Sequence, residues 1–350
     1  MYKQILKTAL IAATLAVAAC GKGGNEGAAG ADTAPVRISV GSYNLNNLPF
    51  FIADANGYFD QVGLTVKTEN FAQGGSKVLQ ALVANSTDVA VGFYDHTIQM
   101  QAKHKDVVAF VLLSRNSGLV LAGREDGTFD PAKPDTIKGQ KVGITAPGSS
   151  SDFFVRHYLS QHDIAIDDIA LIGVGSGAAA VAALEQGKID LLVNYDPAAT
   201  LITERKVGKI IIDARSDEGA RQVYGGLYPT SVMYANQSFL DKRPEAAEKI
   251  ARAQQMALRF IAENSAEDIV AALPDAYVSG DRKTYARAVE NARAIFTKDG
   301  HFVPADLETP LAVLREFNKD VAGTEIDLSK TYTNTFVDRA SASTSAPAQP

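Results

Sequence analysis

From Val36 onward, short apolar runs alternate with stretches whose apolar residues recur every three to four positions. The runs predict strands at 36–43, 64–71, 88–93 and 107–113, and the periodic stretches predict helices at 49–55, 76–84 and 96–102. Such alternation is the mark of an α/β fold built on a mainly parallel sheet. The pattern then recurs. "GGSKVLQALVANSTDVAVGFYD" (74–95) lies over "SGAAAVAALEQGKIDLLVNYD" (176–196), with Ala81-Leu82 over Ala183-Leu184 and Asp88 over Asp190. Upstream, Phe50-Phe51 lies over Phe153-Phe154 at nearly the same offset. A duplicated βαβ series predicts two lobes of like topology, one holding 36–117 and the other 118–234, whose first strand is 119–123. The remaining body, 235–338, reads as helical. Pro244 stands where a helix can begin, and Ala247, Ile250, Gln254, Ala257, Leu258 and Ile261 share one face of it. This piece is expected to pack back on lobe one and belong to it.

The two ends follow other rules. Lys3 and Lys7 precede an apolar run, 9–19, that is too short to span a bilayer and fits a signal-peptide core. It ends in Val17-Ala18-Ala19-Cys20, and Cys20 is the sole cysteine of the chain. Small residues before that cysteine resemble a bacterial lipobox. This implies a signal peptide at 1–19, lipidation of Cys20, and a body tied to a membrane outside the cytoplasm, in the periplasm or at the cell surface. Residues 20–35 are Gly/Ala-rich and read as a flexible tether, and 339–350 as a disordered tail. One thiol makes no internal disulfide.

The formal net charge of −6 and the absence of a basic run exclude nucleic acid as a partner. In an open α/β sheet, ligands sit beyond the carboxyl ends of the strands. Those ends carry Tyr43–Asn47, Gln73–Ser76 and Tyr94–His96 in lobe one. In lobe two they carry Pro147–Ser151, Gly173–Gly177 and Asn194–Asp196. Amides, hydroxyls and glycines at helix starts hold an oxyanion without a buried lysine or arginine, and Arg115 near the lobe junction adds a cation. Helix capping is the competing role for Ser149, Ser150 and Ser151, for Gly74, Gly75 and Ser76, and for Asp95 and Asp196. His96 is a surface helix residue or a ligand contact.

Enzyme chemistry fits less well. "GSSSD" places Asp152 where a Gly-x-Ser-x-Gly elbow needs glycine. The histidines at 96, 104, 157, 162 and 301 form no zinc motif, so neither a metal nor a cofactor is expected. Gly173–Ala178 only imitates a dinucleotide fingerprint.

Taken together, "LPFFIADANGYFDQVGLTV", "IKGQKVGITAPGSSSDFFVRHYL" and "AALEQGKIDLLVNYDPAAT" resemble the substrate-binding proteins of ABC importers, in the branch that binds nitrate, taurine, aliphatic sulfonates and thiamine-pyrimidine precursors. The resemblance implies a two-lobed, type II periplasmic-binding-protein-like fold. Each lobe would be a mainly parallel sheet flanked by helices, with the ligand cleft between lobes. It further implies a lipid-anchored monomer that captures a small oxyanion-like solute and delivers it to a permease and ATPase, without catalysis. Carried over by position, the contacts are Asn44, Leu45, Asn46, Asn47 and Leu48, then Gly74, Gly75 and Ser76, then Tyr94, Asp95 and His96, then Gly148 to Ser151, with Asn194, Tyr195 and Asp196 after them. The alternative is an enzyme on the same frame acting on a pyrimidine-type heterocycle.

Overall fold

The structure, a computed structural model, describes residues 34–41, 43–71, 75–278 and 280–345. The signal segment, Cys20, nearly all of the tether, Gly74 and residues 346–350 lie outside the described residues.

The first series comprises β1 (Val36–Val40), α1 (Leu48–Ala55), β2 (Val66–Asn70), α2 (Gly75–Val83), β3 (Val89–Phe93), α3 (Asp95–Ala102) and β4 (Val107–Leu112). After β5 (Leu119–Arg124) it repeats as β6 (Lys141–Ile144), α4 (Ser150–Ser160), β7 (Ala170–Gly173), α5 (Ala178–Glu185), β8 (Leu191–Tyr195), α6 (Ala198–Glu204) and β9 (Gly208–Asp213). The chain continues through α7 (Asp217–Tyr224), β10 (Ser231–Asn236), α8 (Pro244–Glu263), α9 (Arg282–Ala292), α10 (Glu308–Phe317) and α11 (Thr335–Ser345).

The duplication extends to single hydrogen bonds. Arg37 N donates to Asp88 Oδ2 and Lys141 N to Asp190 Oδ2, both at 2.9 Å. Asp88 N and Asp190 N return the bond to the carbonyls of Arg37 and Lys141. The paired aspartates seen in the sequence each lock the entry of one strand onto its neighbour.

The strand order is β2-β1-β3-β10-β4 in one sheet and β7-β6-β8-β5-β9 in the other. Each sheet has one antiparallel strand set among four that run the same way: β10 between β3 and β4, and β5 between β8 and β9. The sheets are therefore mixed rather than simply parallel. Because β10 pairs only in the first sheet, the chain has returned there by Ser231, ahead of the boundary at 234 expected from the sequence. The alternating pattern of a strand reveals that it is a strand but not which sheet it joins.

A strand covered on both faces is apolar throughout, as in β4, where all six residues are buried. Phe50, Phe51 and Phe154 are buried in their helices, each stabilising by about 1.5–3 kcal/mol relative to exposure. The predicted face of α8 is buried as expected, from Ala247 to Ile261. The helical C-terminal piece, however, covers both halves. α8 packs on α1 and β4, but α9 packs on α6 and α10 on α4. Helix α11 runs on to Ser345, through positions that read as a structureless tail. Val337 and Ala340 anchor it in the core.

Candidate functional site

The C-terminal ends of β1, β3, β6 and β8 face one cavity of about 230 Å³. The first half lines it with Gly41, Asn44, Asn47, Gly75, Ser76, His96 and the end of β3, Val91 to Phe93. The second half adds Thr145, Ala146, Ser149, Ser150, Ser151, Gly175, Ser176 and Tyr195. No lysine, arginine, aspartate or glutamate is in this lining among the described residues.

Phe93 and Tyr195 are duplicates of one position, and their rings meet edge to face at 6.4 Å. The contact marks where the two halves face each other. Two hydrogen bonds cross beside it: Ser150 Oγ donates to Asp95 Oδ2 at 2.7 Å, and Leu45 N donates to the Asp196 carbonyl at 3.2 Å.

His96 stands between Gly75 and Tyr234. Its Nδ1 is 3.1 Å from the Tyr234 hydroxyl, and the two rings meet edge to face. A Cβ on Gly75 would lie 2.9 Å from the ring, so the residue here must be glycine for His96 to keep its place. Burial lowers the His96 pKa from its ordinary value, with Asp95 opposing. The imidazole is therefore neutral at pH 7 and offers one donor and one acceptor.

The serine cluster both caps and lines. Ser149 is the N-cap of α4 and accepts from Asp152 N. Asp152 in turn accepts from Gly148 N and from Arg156. Thr145 Oγ1 donates to Ser149 Oγ at 2.9 Å, and Ser151 Oγ lies 2.8 Å from both hydroxyls. None of the three serines is hydrogen-bonded to a histidine among the described residues; the side-chain partner of Ser150 is Asp95.

Of the sequence candidates, Asn44, Gly75, Ser76, His96, Ser149, Ser150 and Ser151 line the cavity. The others stand elsewhere. Leu45 and Leu48 are in the core. Asn46 braces the two crossover segments, with Nδ2 donating to the Ser117 carbonyl and to Thr230 Oγ1. The Tyr94 hydroxyl pairs with Thr331. Gly148 makes the left-handed turn before α4. Asn194 holds the Gly175 carbonyl from behind. Asp95 sits one layer behind the wall, bonded to Ser150. Asp196 is buried against Arg215 Nη1 at 2.9 Å and caps α6 through Thr200. Arg115 is paired with Asp217 at 2.9 Å and lines a separate groove.

Asn47 and Tyr195, which fall within the carried-over stretches 44–48 and 194–196, line the cavity too, whereas Gly175 and Ser176 lie in a strand-end loop read from the sequence but outside the residues carried over from it. Thr145 and Phe93 were missed altogether, although Phe93 could have been found as the twin of Tyr195.

Two duplicated α/β halves that face one small cavity have the periplasmic-binding-protein fold. The chain belongs to the NMT1-like family, whose model matches residues 30–274. It is 26% identical over 260 residues to the binding protein YtlA of Bacillus subtilis (strain 168), covering 73% of this chain and 74% of that one. A solved structure from Bordetella bronchiseptica RB50 shares 34% identity at a TM-score of 0.81, covering 89% and 98% of the two chains. At lower identity the fold is shared with two further solved structures. The periplasmic nitrate-binding protein NrtA of Synechocystis PCC 6803 is 15% identical, with a TM-score of 0.71 and 91% and 90% coverage. The ligand-binding component of an ABC-type import system from Staphylococcus aureus, solved with zinc bound, is 13% identical, with a TM-score of 0.69 and 87% and 98% coverage.

Proposed function

We propose that this chain is an extracytoplasmic solute receptor, held to a membrane by lipid on Cys20, that captures a small oxyanion-bearing solute and delivers it to the permease and ATPase of an ABC importer. The observation that carries this reading is the cavity itself: set between the two halves, and lined by hydroxyls, amides, glycines and aromatic rings, with no lysine, arginine, aspartate or glutamate among its described lining residues. At about 230 Å³ it exceeds the ~150 Å³ that accommodates benzene. A small solute fits, and a nucleotide does not.

Neutral donors support the oxyanion assignment. Helix α5 begins behind Gly175 and Ser176 with Gly177 as a cap that offers no side-chain bond. The dipole of a helix favours negative oxygen at this end. Helix α2 starts at the wall with Gly75 and Ser76. Solute held by both halves favours the closed arrangement over an open one, and a permease that docks on the closed form reads occupancy.

A thermal-shift panel of nitrate, alkanesulfonates, carboxylates and pyrimidines tests the reading. One class at a hundred times its Kd should stabilise the protein by about 2.7 kcal/mol, raising Tm by roughly 5–10 °C for a chain of this size. A flat response to every oxyanion, on protein shown by mass spectrometry to be ligand-free, overturns it. A response to pyrimidines alone replaces the oxyanion with a heterocycle.

A further inference from the structure

Among the described residues of the cavity lining, His96 alone has a side chain that can gain or lose a proton between pH 5 and 8. Both of its ring nitrogens face an oxygen. Nδ1 lies 3.1 Å from the Tyr234 hydroxyl, and Nε2 lies 3.9 Å from Asp95 Oδ1. Asp95 is 2% exposed. Its Oδ2 accepts from Ser150, and its Oδ1 has no hydrogen-bond partner among the described residues. A neutral imidazole has one N–H to give, whichever nitrogen holds it, and an imidazolium has two. An oxygen therefore stands ready at each nitrogen for the doubly protonated ring, one at hydrogen-bond distance and one within ion-pair reach.

The charges around the ring decide when that second proton is held. Asp95, on the same helix, is the charged group that acts on it. Tyr234 of β10 touches the ring, and Tyr224 and Tyr228 stand near Asp95. Burial raises all three phenols, so they stay neutral. No lysine or arginine lines the cavity among the described residues. With the ring neutral, an incoming anion meets an uncompensated carboxylate behind the wall, and like charges in a buried site repel strongly. With the ring protonated, the His96–Asp95 pair is neutral and the anion meets a cation in the lining. Burial favours the neutral ring while no anion is beside it, and a neighbouring anion favours the charged one.

We propose that the solute enters together with a proton: an anionic solute and one proton from solvent bind jointly, the proton on the imidazole of His96, which thereby supplies the positive charge of the site. This deepens the receptor reading and rests on it. The coupling is reciprocal, so the anion raises the proton affinity of His96 by the factor by which the proton raises the affinity for the anion.

The test is calorimetric titration of the full-length chain with nitrate, ethanesulfonate and acetate at pH 8, 7 and 6, in Tris and bis-Tris chloride, which bring no oxyanion of their own. The Kd of an anion that binds should fall by about tenfold from pH 8 to pH 6. In proton NMR the His96 ring resonance, assigned through its contact with the Tyr234 ring, should titrate at higher pH with that anion than without it. His96→Gln should bind it about tenfold more weakly at pH 6, with a Kd that no longer depends on pH. If that variant fails to fold, the resonance decides alone. A pH-independent Kd in the wild type, or a His96 titration that the bound anion leaves in place, overturns the inference and leaves the receptor reading standing. A pH dependence that survives in folded His96→Gln puts the proton on another group and overturns it as well. If none of the three anions binds at any of these pH values, the oxyanion reading and the inference fall together.

Discussion

At the scale of single residues, Gln254 stands out because both of its amide atoms are buried without a hydrogen-bond partner among the described residues. Leaving such groups unpaired costs about 1–3 kcal/mol. Gln254→Met keeps the volume and removes the polar atoms, so it should raise the urea midpoint, with an expected gain of about 1 kcal/mol or more. His96 makes a pH prediction. Its folded pKa is depressed, so the unfolded chain takes up a proton near 6.5 while the folded chain does so only at lower pH. Its contribution to stability is complete above about 6.5 and is lost as pH falls from there toward the folded pKa. The difference in Tm between wild type and His96→Gln should shrink across that window. His301, raised by Asp338 and Asp299 against the opposing effect of burial, works in the other direction and is common to both proteins. The serine cluster was legible in the sequence as a strand-end loop with capping residues. The direction of its bonds was not, because the acceptor that fixes Ser150 comes from the opposite half, 55 positions away.

At the scale of elements, the loops that connect the halves are tied to the cavity. Asn47 lines the cavity and accepts from Ser231 Oγ at 2.6 Å, at the first residue of β10. Its neighbour Asn46 bridges to Ser117 and Thr230. Gly118 lies between them at φ +66°, and a Cβ there would lie 2.8 Å from Asn46 Oδ1. Gly118→Ala should therefore cost more than the ~1–2 kcal/mol of a left-handed backbone alone, and denaturant melts would show it. A second tie joins the loops after β8 and β9. Arg215 donates to Asp213 and to Asp196, whose side chain is 1% exposed. Burial disfavours the charge on Arg215, but its bonds to both carboxylates outweigh it and hold the guanidinium protonated. Arg215→Met strands Asp196 and should cost about 3–5 kcal/mol in the same assay. The duplicated elements were legible because local periodicity marks each one and the near-constant offset marks the repeat. The sheet membership of 231–236 was not, because it depends on pairing with residues more than a hundred positions away.

At the scale of the whole molecule, the Phe93–Tyr195 ring pair, the Ser150–Asp95 bond and the Leu45–Asp196 bond join the two halves beside the cavity. Solute that bridges the halves adds to them, so small-angle scattering should show a smaller radius of gyration with saturating ligand than without. Phe93→Ala should weaken that contraction. The strand arrangement has a further consequence, in the order of synthesis. A growing chain holds β1 to β4 long before it holds β10, and until then the place between β3 and β4 stands empty. Roughly 120 residues separate Leu112 from Asn236, which is about 6–25 s of translation at 5–20 residues per second. During that interval the first sheet lacks its fifth strand and the core beneath it stays open to solvent.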